Sequence, residues 1–356
     1  MGPLTETGLD ARIALTRGTL RVDVTLAAAR GEVVGILGPN GGGKTSAVLA
    51  LAGALPLEQG HVVVSGATWE RAGRARRLPE QRSVGLMLAD PLLFPHLRAV
   101  DNVAYGPRSR GMAARTARAR ARLELERVGL GDLAHARPGE LSSGQAARVA
   151  LARALAVDPE LLLLDEPLSA LDPETRARTR TDLARRLHDY AGVTVLVTHD
   201  PLDALTLADR LVFVEAGAVT QVGTPGQVLR EPRTPYVATV VGLNLYAAQA
   251  DSHELLALDG GCPLVVGTSP LGPVWAAISP HAVVLHRGPP EGSARNAWPM
   301  RVTEVTLRGQ SARVSLTGPL ELIAEVTLAS VAALGIQVGS DLWASVKATE
   351  VGTYPR

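Results

Sequence analysis

A short segment near the N-terminus has the residue types and the spacing of a loop that binds phosphate groups. Residues 38–45 read Gly-Pro-Asn-Gly-Gly-Gly-Lys-Thr and fit the pattern G-x-x-x-x-G-K-[ST]. Glycines let backbone N–H groups face an anion, the ammonium of Lys44 can reach the β- and γ-phosphates of a nucleotide, and the hydroxyl of Thr45 can hold Mg²⁺. The predicted nucleotide-binding residues are Gly38, Pro39, Asn40, Gly41, Gly42, Gly43, Lys44, Thr45 and Ser46.

Two consecutive carboxylates, Asp165 and Glu166, follow the apolar run 161–164. A buried strand that ends in acids presents them at the carboxyl edge of a sheet, where parallel-sheet enzymes bind ligands. Asp165 is predicted to orient Mg²⁺, and Glu166 to polarise an attacking water. Alone, the pair fits two ordinary loop acids equally well, but the phosphate loop favours the catalytic interpretation.

The segment 141–145, Leu-Ser-Ser-Gly-Gln, precedes a predicted helix. A serine at this position is often only the N-cap of the helix. Alternatively, Ser142, the N–H of Gly144 and the helix dipole form a second anion site. Because the phosphate loop already supplies one such site, the second would need the nucleotide of another chain.

Alternating strand and helix patterns separate these segments. The predicted strands lie within 11–37, with a turn at 17–19, and at 161–164 and 193–197, while the predicted helices span 45–54, 145–156 and 173–190. This alternation predicts an α/β fold with a parallel sheet and crossover helices.

From about residue 240 the pattern changes to short apolar runs separated by glycine and proline. Such a pattern predicts a small all-β barrel or a pair of barrels. We therefore predict a nucleotide-binding domain at 1–240, a connecting β region at 241–290 and a β-barrel at 291–356.

Composition limits the class of protein. With 46% apolar and 20% charged residues, the chain is a folded globular one. A formal net charge of +1 argues against nucleic acid as a partner, and the single cysteine, Cys262, excludes an internal disulfide framework. Without an export signal or an apolar stretch of ~18 residues, a soluble cytosolic chain is expected. Of its 36 basic residues, only Lys44 and Lys347 are lysine.

In the set and order of these motifs, residues 1 to about 235 resemble the ATP-binding subunits of ABC transporters. Residues 169–172 are similar to the family's D-loop and end in Asp172, and residues 198–200 are similar to its switch segment, which contains His199. The resemblance implies a P-loop NTPase (ABC ATPase) domain of the α/β class that hydrolyses ATP with Mg²⁺, with Glu166 and His199 as catalytic residues.

The resemblance also implies a homodimer in which two chains sandwich two ATP molecules. Each chain then closes its signature segment over the phosphates that the other chain binds. The signature residues are Ser142, Ser143, Gly144 and Gln145.

Three positions depart from the family pattern. Ala89 stands at the position of the Q-loop glutamine, so we expect a water to fill the ligand position and ATP turnover to be slower or less tightly coupled. No aromatic residue that could stack on adenine precedes Trp69, and Arg17 could stack its guanidinium plane instead. Ser143 stands where glycine is usual, which we expect to have a minor effect.

Another surface resembles the one by which importer ATPases of the family bind a membrane permease. It comprises residues 94–97, Phe-Pro-His-Leu, with 102–103 and 105–106. The resemblance implies an integral membrane permease as partner and an extracytoplasmic solute-binding protein acting through that permease. It also implies a peripheral position on the cytoplasmic face of the inner membrane. A surface loop with one buried phenylalanine is the alternative.

Two tail segments resemble the anion-binding segments of small molybdate-binding (TOBE/Mop-like) β-barrels, which occur at the C-terminus of molybdate importer ATPases. They are 293–296, Ser-Ala-Arg-Asn, and 345–349, Ser-Val-Lys-Ala-Thr. Arg295 and Lys347 would supply charge to a tetrahedral dianion, while Ser293 and Asn296 would supply directed donors.

The resemblance to molybdate importer ATPases covers most of the chain. It implies an ATPase that energises import of an oxyanion, in the first place molybdate, with molybdate also as a regulatory ligand of the tail. Importers of sulfate, iron or polyamines carry similar tails, so these substrates stay open, as does a tail that is only a dimerisation scaffold. A further alternative is a molybdate-sensing module with a weakened ATPase.

Overall fold

The computed structural model describes residues 7–356, so the first six residues of the predicted 1–240 domain lie outside the described part of the chain. The chain divides into two compact units, residues 1–228 and 229–356, and each is described by itself. Among the described residues, no helix is both long enough and apolar enough to cross a membrane.

The N-terminal unit is built on one mixed sheet of eleven strands. The strands are β1 Thr7–Arg17, β2 Leu20–Ala29, β3 Val33–Leu37, β4 Gln59–Val64, β5 Ala67–Arg71, β6 Ala75–Arg76, β7 Val84–Met87, β8 Leu161–Asp165, β9 Val193–Val197, β10 Arg210–Glu215 and β11 Ala218–Gly223. Their order is β6-β5-β4-β1-β2-β11-β10-β3-β9-β8-β7. Strands β10, β3, β9, β8 and β7 pair in parallel, whereas β1, β2, β4, β5 and β6 pair antiparallel. The α/β class is confirmed, and the antiparallel half adds to the predicted parallel sheet.

Helices alternate with the strands of this unit, and two of them begin at a clear local sequence signal. They are α1 Lys44–Leu51, α2 Ala99–Ser109, α3 Ala114–Arg127, α4 Ser143–Ala156, α5 Pro173–His188, α6 Pro201–Leu207 and α7 Pro225–Arg230. Asp172 caps α5 and Asp200 caps α6, and each aspartate is followed by a proline at the first helical position. An N-cap acid followed by proline starts a helix because it satisfies free N–H groups and fixes φ.

Strands β3, β8 and β9 are buried along their whole lengths. Their runs of Val, Ile and Leu suit strands covered on both faces. Since β3, β8 and β9 are parallel neighbours, their carboxyl ends lie at one edge of the sheet. That edge carries Gly38 after β3, Asp165 at the end of β8 and Thr198 after β9.

The C-terminal unit consists of two antiparallel five-stranded sheets. Its elements are α8 Pro235–Val241, β12 Asn244–Ala250, β13 Leu255–Leu258, β14 Pro263–Val265, β15 Gly272–Ile278, β16 Val284–His286, β17 Asn296–Arg308, β18 Ser311–Thr317, β19 Leu322–Thr327, α9 Leu328–Leu334, β20 Asp341–Val346 and β21 Val351–Pro355. The sheet orders are β14-β13-β12-β15-β21 and β16-β20-β17-β18-β19. Side chains of both sheets share one hydrophobic core, for example Leu256 and Ile278 with Trp298 and Met300. The all-β class of the tail is confirmed.

The two sheets of this unit are not consecutive in sequence. Strand β16 precedes residue 290 and joins the second sheet, while β21 follows residue 291 and returns to the first. A division at 290 therefore crosses both sheets. Strand β17 begins at Asn296, so this predicted oxyanion residue lies within a strand.

Candidate nucleotide-binding site

The phosphate loop leaves β3 and enters α1, in the position that the sequence predicts. Gly43, the N-cap of α1, has a φ of +99°, in the left-handed region that favours glycine. A Cβ atom on Gly38 would stand 1.9 Å from the carbonyl oxygen of Val214. At these two positions, another residue would strain the loop or push it away from β10.

Lys44 is the first residue of α1 and its side chain is buried. Its Nζ donates hydrogen bonds to the carbonyl oxygens of Gly38 at 2.8 Å and Pro39 at 2.9 Å. Burial lowers the pKa of Lys44, and the negative charges of Glu166 and Asp165 oppose this shift. Since these hydrogen bonds go to uncharged carbonyl oxygens, the positive charge of Lys44 remains available to bind an anion.

Thr45 and Asp165 place two oxygen atoms side by side. Oγ1 of Thr45 donates a hydrogen bond to Oδ2 of Asp165 at 2.9 Å. Burial raises the pKa of Asp165, while the hydrogen bond from Thr45 and the charge of Lys44 act in the opposite direction. Mg²⁺ prefers oxygen ligands and commonly shares its coordination between one or two protein oxygens and substrate phosphates. The two side chains therefore fit a Mg²⁺ ion that accompanies a nucleotide.

Glu166 and His199 come together at the carboxyl ends of β8 and β9. Glu166 has a φ of +55°, a conformation that costs a non-glycine residue free energy and persists where the surroundings fix it. Its Oε2 lies 2.7 Å from Nδ1 of His199, and its side chain is 17% exposed against 59% for the histidine. The structure thus brings the two predicted catalytic side chains into contact.

A cavity of about 460 Å³ collects these groups, within the usual size range of small-molecule sites. Its lining comprises Arg17, Leu20, Asn40, Gly41, Gly42, Gly43, Lys44, Thr45, Ser46, Ala89, Asp165 and Glu166. Leu20 was missed by sequence reasoning, although it pairs with Arg17 across the hairpin of β1 and β2. Ala89 faces the cavity with a methyl group and offers no polar atom from its side chain.

The signature residues 142–145 are not among the residues that line this cavity in the described part of the chain. Ser142 is the N-cap of α4: the N–H of Gln145 donates to its Oγ at 3.2 Å, and its own N–H donates to Oε1 of Gln145 at 2.8 Å. Ser143 and Gly144 form the first turn of α4. The capping role is therefore present, and any role in binding phosphate requires a nucleotide from elsewhere.

The segment 169–172 lies against the signature. A Cβ atom on Gly144 would stand 3.1 Å from Cδ2 of Leu171, so glycine permits this close approach. Asp172 accepts a hydrogen bond from the N–H of Thr175 at 3.0 Å. That bond lowers the pKa of Asp172, as expected for a carboxylate that caps a helix.

An ion-pair network behind His199 was missed by sequence reasoning. Asp203 of α6 is buried and pairs with Arg176 and with Arg180 of α5, the latter at 2.6 Å. Arg176 also pairs with Asp200 at 2.9 Å, directly after His199. The signal was present in the sequence, because two arginines four apart can face two aspartates three apart on a neighbouring helix.

The loop between β7 and α2, residues 88–98, carries the segment that resembles a permease-binding surface. The ring of Phe94 packs 4.7 Å from that of Tyr105, and Tyr105 is 51% exposed. Asn102 is fully buried and its amide bonds the backbone of Phe94, Leu97 and Arg98. The exposed ring of Tyr105 on α2 therefore stands beside a loop whose backbone is held by a buried side chain.

In the C-terminal unit, two of the four predicted oxyanion residues share a cavity. Ser293 and Lys347 line a space of about 520 Å³, together with His286, Ser345 and others. Nε2 of His286 lies 2.9 Å from Oγ of Ser345. The lining also includes Glu291 and Glu350, whose charge opposes an anion.

The other two predicted oxyanion residues point to other partners. The amide of Asn296 is buried and is bonded at both ends to the backbone of Val265, each bond 2.8 Å long. The guanidinium of Arg295 lies 3.5 Å from the carboxylate of Glu254. The amide of Asn296 is thus engaged with the backbone of the fold, and its assignment as an anion donor stays a prediction.

The fold and the cavity together define an ATPase-type nucleotide-binding domain of the phosphate-loop class. Residues 22–169 match the model of the ABC transporter family, and residues 292–352 match that of the TOBE domain. The chain belongs to the ABC transporter family and resembles its ATP-binding subunits with a C-terminal TOBE domain, which confirms the resemblance drawn from the motifs.

Similar proteins include importer subunits of different specificity. The molybdenum import ATP-binding protein ModC of Mycobacterium tuberculosis is 38% identical over 94% of each chain. The sulfate/thiosulfate import ATP-binding protein CysA of Nocardia farcinica is 37% identical over 94% of each chain. Among solved structures, the ATP-binding cassette MJ0796, a dimer bound to ADP and Pi after hydrolysis, is 26% identical with a TM-score of 0.54, covering 61% of this chain and 98% of that one.

Proposed function

We propose that this protein is the ATP-hydrolysing subunit of an oxyanion importer, acting as a homodimer beneath a membrane permease on the cytoplasmic face of the inner membrane. The observation that carries the proposal is the convergence of Lys44, Thr45, Asp165 and Glu166 on one cavity. Phosphoryl transfer to water requires a phosphate loop, oxygen ligands for Mg²⁺ and a carboxylate that can act as a base. The cavity contains all three, and the carboxylate lies beside a histidine.

Each side chain has a defined task in this proposal. Lys44 and the backbone of the phosphate loop bind the β- and γ-phosphates, and Thr45 and Asp165 hold Mg²⁺, which neutralises charge on the phosphates when bound. Glu166 accepts the proton of the attacking water. His199, in contact with Glu166, holds that carboxylate and reaches the γ-phosphate, while Arg17 lies along the base.

The second anion site at α4 is proposed to act in trans. Ser142 and the first turn of α4 would close over the phosphates bound by a second copy, as the resemblance implies. The relative solved as a dimer with ADP and Pi supports this arrangement. Since residues 142–145 stand outside the cavity of their own chain, a dimer would complete each site.

The test of the ATPase is Mg²⁺-dependent phosphate release by the purified full-length chain. Lys44→Ala should abolish it, because the ammonium is the buried cation of the loop. Arg21→Ala is the control, since Arg21 is an exposed basic residue of β2 that follows Leu20 of the cavity but does not line the cavity itself. If Lys44→Ala retained the activity of the parent chain, the proposed site would be wrong.

Molybdate is proposed as the transported oxyanion. Support comes from the ModC relatives, which match nearly the whole chain, and from the cavity that contains Ser293 and Lys347. Relatives named for iron, sulfate and polyamine import are similar to a comparable degree. The second candidate is therefore an importer of one of those solutes with a tail that binds no anion, and Glu291 and Glu350 in the cavity favour it.

Calorimetric titration of the full-length protein with molybdate, tungstate and sulfate separates these candidates. Lys347→Ala should weaken molybdate binding about tenfold or more, because it removes the charge in the cavity. Arg301→Ala is the matched control, since Arg301 is an exposed basic residue of the same unit that pairs with Asp341 and lies outside the lining. Absence of binding by the parent chain would favour the second candidate.

A further inference from the structure

Arg153 of α4 holds the loop 88–98 by its backbone. Its Nη1 donates to the carbonyl oxygen of Leu92 at 2.9 Å, and its Nη2 donates to that of Pro91 at 2.7 Å. The guanidinium also lies over the ring of Phe94, 5.8 Å from the ring centre. The side chain of Arg153 therefore contacts three residues of this loop, Pro91, Leu92 and Phe94.

This guanidinium is not compensated by an acid. No carboxylate of the described residues pairs with Arg153 within 4 Å, and burial lowers its pKa. A half-buried arginine without a counter-ion loses part of its hydration, and its planar fork can bind two acceptors at once. Here the acceptors are a pair of carbonyl oxygens that no other element of the unit is seen to bind.

The loop itself is held under strain. Leu92 has a φ of +44°, a conformation that persists in a bulky residue only where its surroundings fix it. Arg153 fixes the loop from α4, and Asn102 fixes it from α2 through the backbone of Phe94. The loop is therefore bound to two helices and will follow either one when it moves.

The two ends of this loop have different surroundings. Ala89 lines the nucleotide cavity, while Leu92 is 58% exposed and Phe94 packs against exposed Tyr105. A methyl group cannot contact a phosphate or Mg²⁺ through a polar atom. The side chain of Ala89 therefore cannot transmit the binding or hydrolysis of a nucleotide to the loop through a polar contact.

Helix α4 supplies another route. Its N-terminus is the second anion site at Ser142, and Arg153 lies ten residues beyond Ser143 on the same helix, about 15 Å along its axis. A helix of this length moves as a rigid body, and a displacement at one end displaces the other. Arg153 would carry that displacement into the carbonyl groups of the loop.

We propose that Arg153 is the positioning residue that couples nucleotide binding to the exposed end of the loop 88–98, through α4, in place of the polar side chain that Ala89 lacks. This rests on the proposed function, because closure of Ser142 over a nucleotide is what displaces α4. The surface at Leu92, Phe94 and Tyr105 then changes with the state of the nucleotide. In the proposed function, the membrane permease contacts this surface.

Hydrogen exchange of the full-length chain, with and without Mg-ATP, tests this coupling. The background is Glu166→Gln, which retains ATP, and the variants are Arg153→Gln and the control Arg148→Gln. Arg148 lies on the same helix and also donates to a carbonyl oxygen, but to that of Val128. In the background and in the control, ATP should slow exchange in the phosphate loop and in residues 88–98.

In Arg153→Gln, the phosphate loop should keep its response to ATP, while the response of residues 88–98 should shrink about fivefold or more. An undiminished response of residues 88–98 in this variant would overturn the coupling while leaving the ATPase proposal standing. No response of the phosphate loop in the background would overturn both. If Arg153→Gln does not fold, Arg153→Lys is decisive: an ammonium lacks the planar fork and should lose about half of the loop response, and a full response would overturn the proposal.

Discussion

Oγ1 of Thr45 donates a 2.9 Å hydrogen bond to Oδ2 of Asp165 across 120 residues of sequence. The bond joins the start of α1 to the end of β8 and keeps a carboxylate in a place where burial raises its pKa. Lys44, next to it, has its pKa lowered by the same cause. The side chains of the site thus include two charged groups whose burial the fold does not fully compensate, and a bound anion with Mg²⁺ would compensate both.

Asp165→Asn should stabilise the nucleotide-free protein at neutral pH. The folded pKa of Asp165 is raised above its usual value, so the folded state binds more protons than the unfolded state between the two pKa values. The contribution of Asp165 to the free energy of unfolding thus falls as pH rises through that window and is least favourable at pH 7. We expect a gain on the order of 1 kcal/mol, or ~2–4 °C in Tm.

Thermal denaturation at pH 4 and pH 7 checks this sign. The gain in Tm should be larger at pH 7 than at pH 4, and Mg²⁺-dependent binding of ATP should be lost. Asp172→Asn is the control, because the pKa of Asp172 is lowered by its cap hydrogen bond and asparagine also caps helices; no gain is expected there. A lower Tm for Asp165→Asn at pH 7 would contradict the electrostatic account.

Glu166→Gln should separate ATP binding from hydrolysis. Glutamine keeps the size of the side chain but cannot accept the proton of a water, so kcat should fall by about 10²–10⁴-fold. The dissociation constant for ATP should change little, because the phosphates are bound by the loop and by Lys44. Single-turnover phosphate release and ATP titration give the two quantities, and hydrolysis within tenfold of the parent chain would assign the base elsewhere.

Ala89→Gln should accelerate ATP turnover and steepen its dependence on Mg²⁺. Ala89 lines the same cavity as Thr45 and Asp165, and a glutamine there adds an amide oxygen of the kind that Mg²⁺ accepts. Ala89→Leu is the control of similar bulk without a polar atom and should not accelerate turnover. If Ala89→Gln left the ATPase rate and its Mg²⁺ dependence unchanged, the alanine in place of the family's glutamine would not affect ATP turnover.

Sequence reasoning predicted which residues of the candidate nucleotide site lie together, because these residues occupy fixed points of a repeated strand–helix pattern. Gly38 follows β3, Asp165 ends β8 and His199 follows β9, and the carboxyl ends of parallel strands share one edge. Each of these positions is set by local sequence and by the fold class alone, so the pattern was sufficient.

Sequence reasoning did not predict contacts in which a side chain's partner comes from a distant strand or helix. Asn296 has a suitable type for an anion site, but the register of β17 turns it towards the backbone of Val265. Arg153 has the same type as many exposed arginines on helices, and only the path of the loop 88–98 shows what it binds. Residue type and spacing do not determine these long-range pairings.

Substitutions of Ser142 should separate its two roles, which are capping α4 and binding the nucleotide of a second copy. Ser142→Asp keeps a side-chain oxygen for the N–H of Gln145 and places a negative charge at a helix N-terminus, so the free energy of unfolding should be maintained. The same charge faces the phosphates of the second copy's nucleotide, so ATP-dependent dimerisation should be lost. Ser142→Ala removes the cap and should cost about 1 kcal/mol of stability.

Light scattering with Mg-ATP measures the fraction of dimer, in chains that also carry Glu166→Gln. Thermal denaturation without nucleotide measures how much the cap of α4 contributes to stability. Ser142→Asp should be stable and monomeric, whereas Ser142→Ala should be less stable but should retain part of the dimer, because the N–H groups of α4 remain. If Ser142→Asp formed the ATP-dependent dimer as well as the parent chain, the N-terminus of α4 would not face a nucleotide. Ser142 would then be a cap alone, which its hydrogen bonds with Gln145 already explain.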